Sequence, residues 1–153
     1  MSKAVLISIR PEWCAKIASG KKTIEVRKTR PKMNPPFKCY IYKCGSGKII
    51  GEFTCDCIDE YDDDTIFSFR HEDYARWNDF DLDRACMHPE DFQNYANGKW
   101  LYGWHISDLR VYDHPRDLWE FTGLRQTRFG WEPVPITRPP QSWRYVEKEL
   151  WND

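Results

Sequence analysis

The hydrophobic pattern changes period twice within "AVLISIRPEWCAKIASGKKTIEVRK", Ala4 to Lys28, and no other stretch constrains the fold as much. "AVLISI" (Ala4–Ile9) is a short, nearly unbroken apolar run, the pattern of a buried strand. Over residues 11–19 the spacing becomes helical. Pro11 suits a first helical position, Trp13/Ile17 and Cys14/Ala18 form i,i+4 apolar pairs, and Gly20 stands where a helix ends. From Thr23 the period is two, with Ile24 and Val26 on one face and Thr23, Glu25 and Arg27 on the other. A strand, a helix and a second strand in so short a span call for a sheet with a helix packed on it.

The rest of the chain extends that sheet. "RPKMNPP" (Arg30–Pro36) is a loop by its prolines. "FKCYIYKC" (Phe37–Cys44) is a strand with Phe37, Cys39 and Ile41 on one face and Tyr40 and Tyr42 on the other. "GSG" (Gly45–Gly47) turns it into "KIIGEFTCDCI" (Lys48–Ile58), a hairpin, and Gly51 inside that strand marks a bulge or a close approach. The acidic run "DEYDDD" (Asp59–Asp64) reads as a solvated loop. After it, "HEDYARW" and "HPEDFQNYANG" read as helices of an insertion over about 62–98, with Pro89 a start and Gly98 a stop. "KWLYGWHISDLRVYD" (Lys99–Asp113) is the longest strand pattern. "HPRDLWEF" reads as one or two helical turns, "WEPVPITRPPQSW" as an extended proline-rich passage, and "SWRYVEKEL" as a strand or short helix.

At 153 residues the chain reads as one domain, 1–153, able to bury roughly 68–70% of its unfolded surface without a metal or disulfide. The fold class is α+β: a small, mostly antiparallel sheet or partly open β-barrel with one early helix and a helical insertion. The six cysteines include no C-x2-C pair and no histidine at zinc-finger spacing, so they read as reduced core or half-buried thiols, with no metal and no cofactor. No run approaches the ~18 apolar residues of a membrane helix, and no secretory signal is present, which predicts a cytoplasmic protein without a membrane partner.

A net charge of −1 conceals a segregation. Residues 1–48 hold twelve Lys or Arg against two carboxylates, whereas residues 49–99 hold four against fourteen. A basic first third suggests a polyanionic partner, RNA above all; mutual neutralisation of the two parts is the alternative. Aromatic residues make up 16% of the chain, more than a core of this size absorbs easily, so some rings are expected in a cleft or on an interaction face.

Glu25 and Arg27 project from one face of their strand, about 7 Å apart. They pair with each other or flank a ligand. Arginine offers a rigid fork for phosphate or a base edge, and glutamate accepts from an amine or takes a proton. Lys22, at the helix–strand corner, adds positive charge for an anion or a developing oxyanion. Arg10 and Trp13 flank the helix start, Ser8 faces the same cleft, and Tyr102 and Trp104 supply rings. His105, on the opposite face from Trp104, reads as a structural, hydrogen-bonded histidine.

Gly20, Lys22, Glu25 and Arg27 form G-x-K-x-x-E-x-R, which resembles the hallmark motif of the ASCH domain, a member of the PUA-like superfamily. "YIYKCGSGKIIGEF", "WHISDLRVYDHPRDLWEF" and "ITRPPQSWRYVE" also resemble small phage and bacterial members, and the likeness weakens over residues 62–98. The resemblance implies a PUA-like barrel with a cleft beside the first helix that binds RNA or a nucleotide. The ligand-binding set is then Ser8, Arg10, Trp13, Lys22, Thr23, Glu25, Arg27, Tyr102 and Trp104. Some family members are amidohydrolases acting on acetylated cytidine, and a ribonuclease activity is also described. In the amidohydrolase pattern a nucleophilic threonine stands where this chain has Glu25, and Thr23 is a poor substitute on the same side. Two classes therefore stay open: a binding module, with a regulatory role as one form of it, and a metal-independent hydrolase using Lys22 and Glu25.

Overall fold

The computed structural model describes residues 2–61 and 82–151. Eight strands form one sheet: β1 (Lys3–Ile9), β2 (Ile24–Arg27), β3 (Phe37–Lys43), β4 (Lys48–Tyr61), β5 (Leu101–Asp117), β6 (Thr122–Thr127), β7 (Gly130–Pro135) and β8 (Trp143–Glu147). Their order is β2-β5-β4-β3-β1-β8-β6-β7, an open sheet. Among the described residues only β1 and β3 run parallel; the other neighbours are antiparallel. Helices α1 (Pro11–Ala18) and α2 (Pro89–Ala96) accompany the sheet, and residues 82–85 are helical as well. Among the described residues no helix is long and apolar enough to cross a membrane.

Alternation along β1 feeds two cores. Val5, Ile7 and Ile9 pack with Cys14 and Ile17 of α1 and with Phe37, Cys39, Ile41, Phe53 and Trp104. Ala4 and Leu6 face the other way, to Tyr40, Tyr42, Ile49, Tyr112, Phe121 and Val146. The two faces read for β3 are those observed, one in each core. A third core joins Ile24 and Val26 of β2 to Leu101 and to Leu82, Ala85, Phe92 and Ala96 of the insertion. That packing buries β2 although it ends the sheet.

Helix α2 starts at Pro89 and ends at Ala96, where Asn97 (φ 47°) takes the left-handed cap position just before Gly98. The sequence HEDYARW and residues 62–64 of the acidic run lie outside the described residues. Asp59, Glu60 and Tyr61 of that run belong to β4 and not to a loop, because β5 pairs with them through Tyr61↔Leu101. At the other end β5 runs to Asp117, so "HPRD" is strand where helical turns were expected. Pairing of Lys48 with Asp117 and Ile49 with Arg116, and an ion pair between Lys48 and Asp117, hold it extended. Only Leu118–Glu120 forms a helical turn, of the 3-10 type.

The β6–β7 hairpin escaped the sequence reading. Thr127 closes its tip, accepting from the Phe129 N–H at 3.1 Å and donating to the Gly130 carbonyl at 2.9 Å. Pro133 and Pro135 are compatible with β7 because it is the outer strand, where a missing N–H leaves no neighbour unpaired.

Candidate functional site

The site is built where α1 runs into β2. Gly20 takes a left-handed φ of 82°, which lets the chain leave the helix and turn Lys22 back beneath it. Lys22 and Glu25 are then buried, at 4% and 7% exposure. The Glu25 carboxylate pairs on one side with Arg27 (Oε1 to Nε, 3.3 Å) and on the other with Lys22 (Oε2 to Nζ, 3.9 Å). Charged groups removed from water need such partners, since an unpaired buried charge costs several kcal/mol. This is the mutual pairing that the strand period allowed, in a buried setting and not on a solvated edge.

The insertion closes the arrangement. Lys22 Nζ donates to the Ala85 carbonyl at 2.6 Å, and the Thr23 N–H donates to the Arg84 carbonyl at 2.8 Å. Lys22 also lies 5.3 Å from the Trp13 ring, and Lys16 lies 4.9 Å from the same ring. Burial lowers the pKa of Lys22, while the neighbouring Glu25 charge opposes that shift.

Arg27 is engaged within the protein. It donates to the Ser8 carbonyl at 2.6 Å and to the Ser142 side-chain and backbone oxygens at 3.1 and 3.4 Å. Ser8 in turn donates its hydroxyl to the Pro140 carbonyl at 2.6 Å. These bonds tie the end of β1 to the segment before β8. Ser142, Pro140 and Ala85 were not among the expected site residues; all three act through backbone carbonyls, and only Ser142 adds its side chain, so no side-chain pattern announces them.

Register brings the remaining residues alongside. Glu25 is directly opposite Trp104, and Arg27 opposite Tyr102. The Trp104 ring has no exposure and packs edge-on to Phe37 and Trp143, at 5.9 and 5.8 Å, so its faces are closed to stacking. Two buried polar atoms on this face lack a hydrogen bond, Trp104 Nε1 and Glu25 Oε2. Tyr102 borders a surface depression with residues 28–34. Arg10 is exposed at the cap of α1. His105 is bound to Asp59 (Nε2 to Oδ2, 2.6 Å), away from this cluster, and that hydrogen bond lowers the Asp59 pKa.

An open, mostly antiparallel sheet with a helix laid across the start of its motif strand defines a PUA-like fold. The ASCH domain family model matches residues 7–112, and the chain belongs to that family. Among solved structures it is similar to ASCH from Zymomonas mobilis, with a TM-score of 0.60 and 20% identity, covering 95% of this chain and 88% of that one. It is equally similar to two single-substitution variants of that protein, tyrosine to phenylalanine and serine to alanine, of which 91% and 89% are covered. At this identity the likeness establishes the fold alone. No curated protein sequence matches the chain.

Proposed function

We propose that the chain binds RNA by holding one nucleotide at the Lys22–Glu25–Trp104 cluster. The observation that carries this reading is a donor and an acceptor in register-opposed residues, Trp104 Nε1 and Glu25 Oε2, that lack a hydrogen bond, the latter with only the longer ion pair to Lys22 at 3.9 Å. A buried polar atom without its hydrogen bond costs ~1–3 kcal/mol, and folded proteins keep few of them. A ligand that supplies both partners recovers that cost on binding. Nucleobase edges do so, since each sets a ring or carbonyl acceptor beside an N–H donor. The Glu25 side chain keeps 9% exposure although its Oε2 is buried, and Lys22 supports charge on the ligand.

The direct test is Trp104→Phe, which keeps the ring and removes the N–H. Nucleotide affinity, read by calorimetry, should fall tenfold or more while thermal stability holds or rises. Unchanged affinity, or no mononucleotide binding by the wild type, would sink the reading.

Lys22 favours a second reading. A lysine of lowered pKa beside a carboxylate is equipped for proton transfer, which suits metal-independent hydrolysis of an N-acylated nucleoside such as acetylcytidine, or of RNA. Glu25→Gln separates the two. In a binder it mainly raises the dissociation constant, whereas in a hydrolase turnover collapses while substrate still binds.

A further inference from the structure

Two depressions adjoin on the surface above the buried site. One, of about 700 Å³, is lined by residues 138–145 and Leu124. The other, of about 550 Å³, is lined by residues 28–34 and Tyr102. They meet where Trp143 Nε1 donates to Thr29 Oγ1 at 2.9 Å and where the Lys32 N–H donates to the Tyr145 hydroxyl at 2.8 Å. Each is large enough for a nucleotide-sized ligand.

Their chemistry is one-sided. Lys28, Arg30, Lys32, Arg138 and Arg144 line them, and no carboxylate does. Arg30 has a carboxylate partner, Glu60 at 3.6 Å. The other four have none among the described residues: Lys28 sits over the Tyr95 ring, and Arg144 reaches only the Tyr145 carbonyl. In a chain of net charge −1, four uncompensated cations gathered on one surface repel one another, and a polyanion relieves that repulsion. Aromatic groups are interleaved with them. Tyr102 borders one depression, and Trp143 and Tyr145 border the other with their rings 5.3 Å apart. Cations spaced along a groove with rings between them suit an unpaired strand, whose phosphates and bases are both reachable. A duplex presents only its phosphates to such a surface.

We propose that the two depressions form one track for single-stranded nucleic acid, crossing the Thr29–Trp143 bridge. Phosphates lie against Lys28, Lys32, Arg138 and Arg144, and bases against Tyr102, Trp143 and Tyr145. The track goes beyond the base site and rests on the nucleic-acid reading given above.

The test uses the full chain, an eight-nucleotide unstructured RNA, the DNA of the same sequence, a duplex of equal charge, and a mononucleotide. Neutralising about four phosphates predicts a log affinity against log salt slope near −3 for the single strands. The double variant Lys32→Ala/Arg138→Ala alters two exposed side chains. It should weaken single-strand binding at least tenfold and make the slope shallower by about 1.4. Mononucleotide binding should not change. Binding of either strand in this way supports the track, and the tighter one identifies its occupant. Unchanged strand affinity in the double variant, or a duplex bound as tightly as the strands, would overturn it. Loss of mononucleotide binding with strand binding kept would instead remove the base site and leave the track standing.

Discussion

Glu25 is held between two cations, and each of the three groups depends on the others. Replacing it by glutamine leaves Lys22 and Arg27 together in a buried space without a counter-charge. Breaking a buried ion pair in this way costs ~3–5 kcal/mol, which urea unfolding of Glu25→Gln should register. The same variant should act on Lys22. Burial lowers that lysine's pKa from the ordinary 10.5, and the Glu25 charge is the largest effect raising it again. Without that charge the Lys22 ammonium should release its proton at lower pH than in the wild type, followed through the side-chain carbon resonances. An unshifted titration would mean that Glu25 does not set the local field. The trio itself was legible in the sequence, because period two puts Glu25 and Arg27 on one face and Gly20 turns Lys22 toward them. Its wider set of partners was not. The Ala85, Ser8 and Ser142 carbonyls come from 63, 19 and 115 positions away, and a backbone oxygen carries no residue type to read.

Among the elements, β4 and β5 are the long, irregular pair on which the site leans. Their register shifts between Ile49 and Gly51, between Glu52 and Thr54, and between Cys55 and Ile58. Gly51 marks the first shift, as its place inside a strand pattern suggested. A Cβ there would stand 2.6 Å from the Arg110 carbonyl oxygen and 3.2 Å from the Val111 Cα, both backbone atoms that cannot swing aside. Gly51→Ala should therefore destabilise by about 1–3 kcal/mol, the range for overpacking. In a chain of this size that is a fall of about 2–4 °C in Tm per kcal/mol. A neutral effect would show that the strands part easily. Farther along the pair, the third shift lies beside the Asp59–His105 contact, which adds a pH dependence. The hydrogen bond from His105 holds the Asp59 carboxyl below its ordinary 3.8. Its contribution is complete above the unfolded-state value and is lost as pH falls through the folded one. Acid titration of stability should be flatter in Asp59→Asn over that window. Strand existence was legible here from alternation, but the extension to Asp117 was not, because pairing of Arg116 and Asp117 with β4 overrides the helical-turn reading of "HPRDLWEF". The β6–β7 hairpin was hidden for a related reason, since Pro133 and Pro135 look like loop residues until β7 is known to be an edge.

At the scale of the molecule the strand order decides which part can open by itself. β1 lies inside the sheet, bonded to β3 and β8, and its alternate residues belong to two cores. Those cores cannot separate without breaking β1, so they should unfold together. β2 is different. It has four residues, one neighbour (β5), and a third core shared mainly with the insertion. Its links to the rest include the Thr23–Arg84 and Lys22–Ala85 hydrogen bonds and the ties from Arg27 to Ser8 and Ser142. Opening β2 with α2 exposes fewer apolar side chains than unfolding the sheet, and local openings of this kind have lower free energies than global unfolding. Native-state hydrogen exchange should therefore find the amides of β2 and α2 exchanging through a sub-global opening, while β1 and β3 exchange only with global unfolding. The two classes should also differ in denaturant dependence, weak for β2 and steep for β1, because the slope follows the surface exposed. This opening uncovers Glu25 and Trp104, the atoms proposed to meet a base, so a bound nucleotide should slow exchange in β2 and α2 above all. Equal protection of β2 and β1 in the free protein would mean that the site opens only when the whole sheet does, and a base would then have to enter past Glu25 with β2 in place.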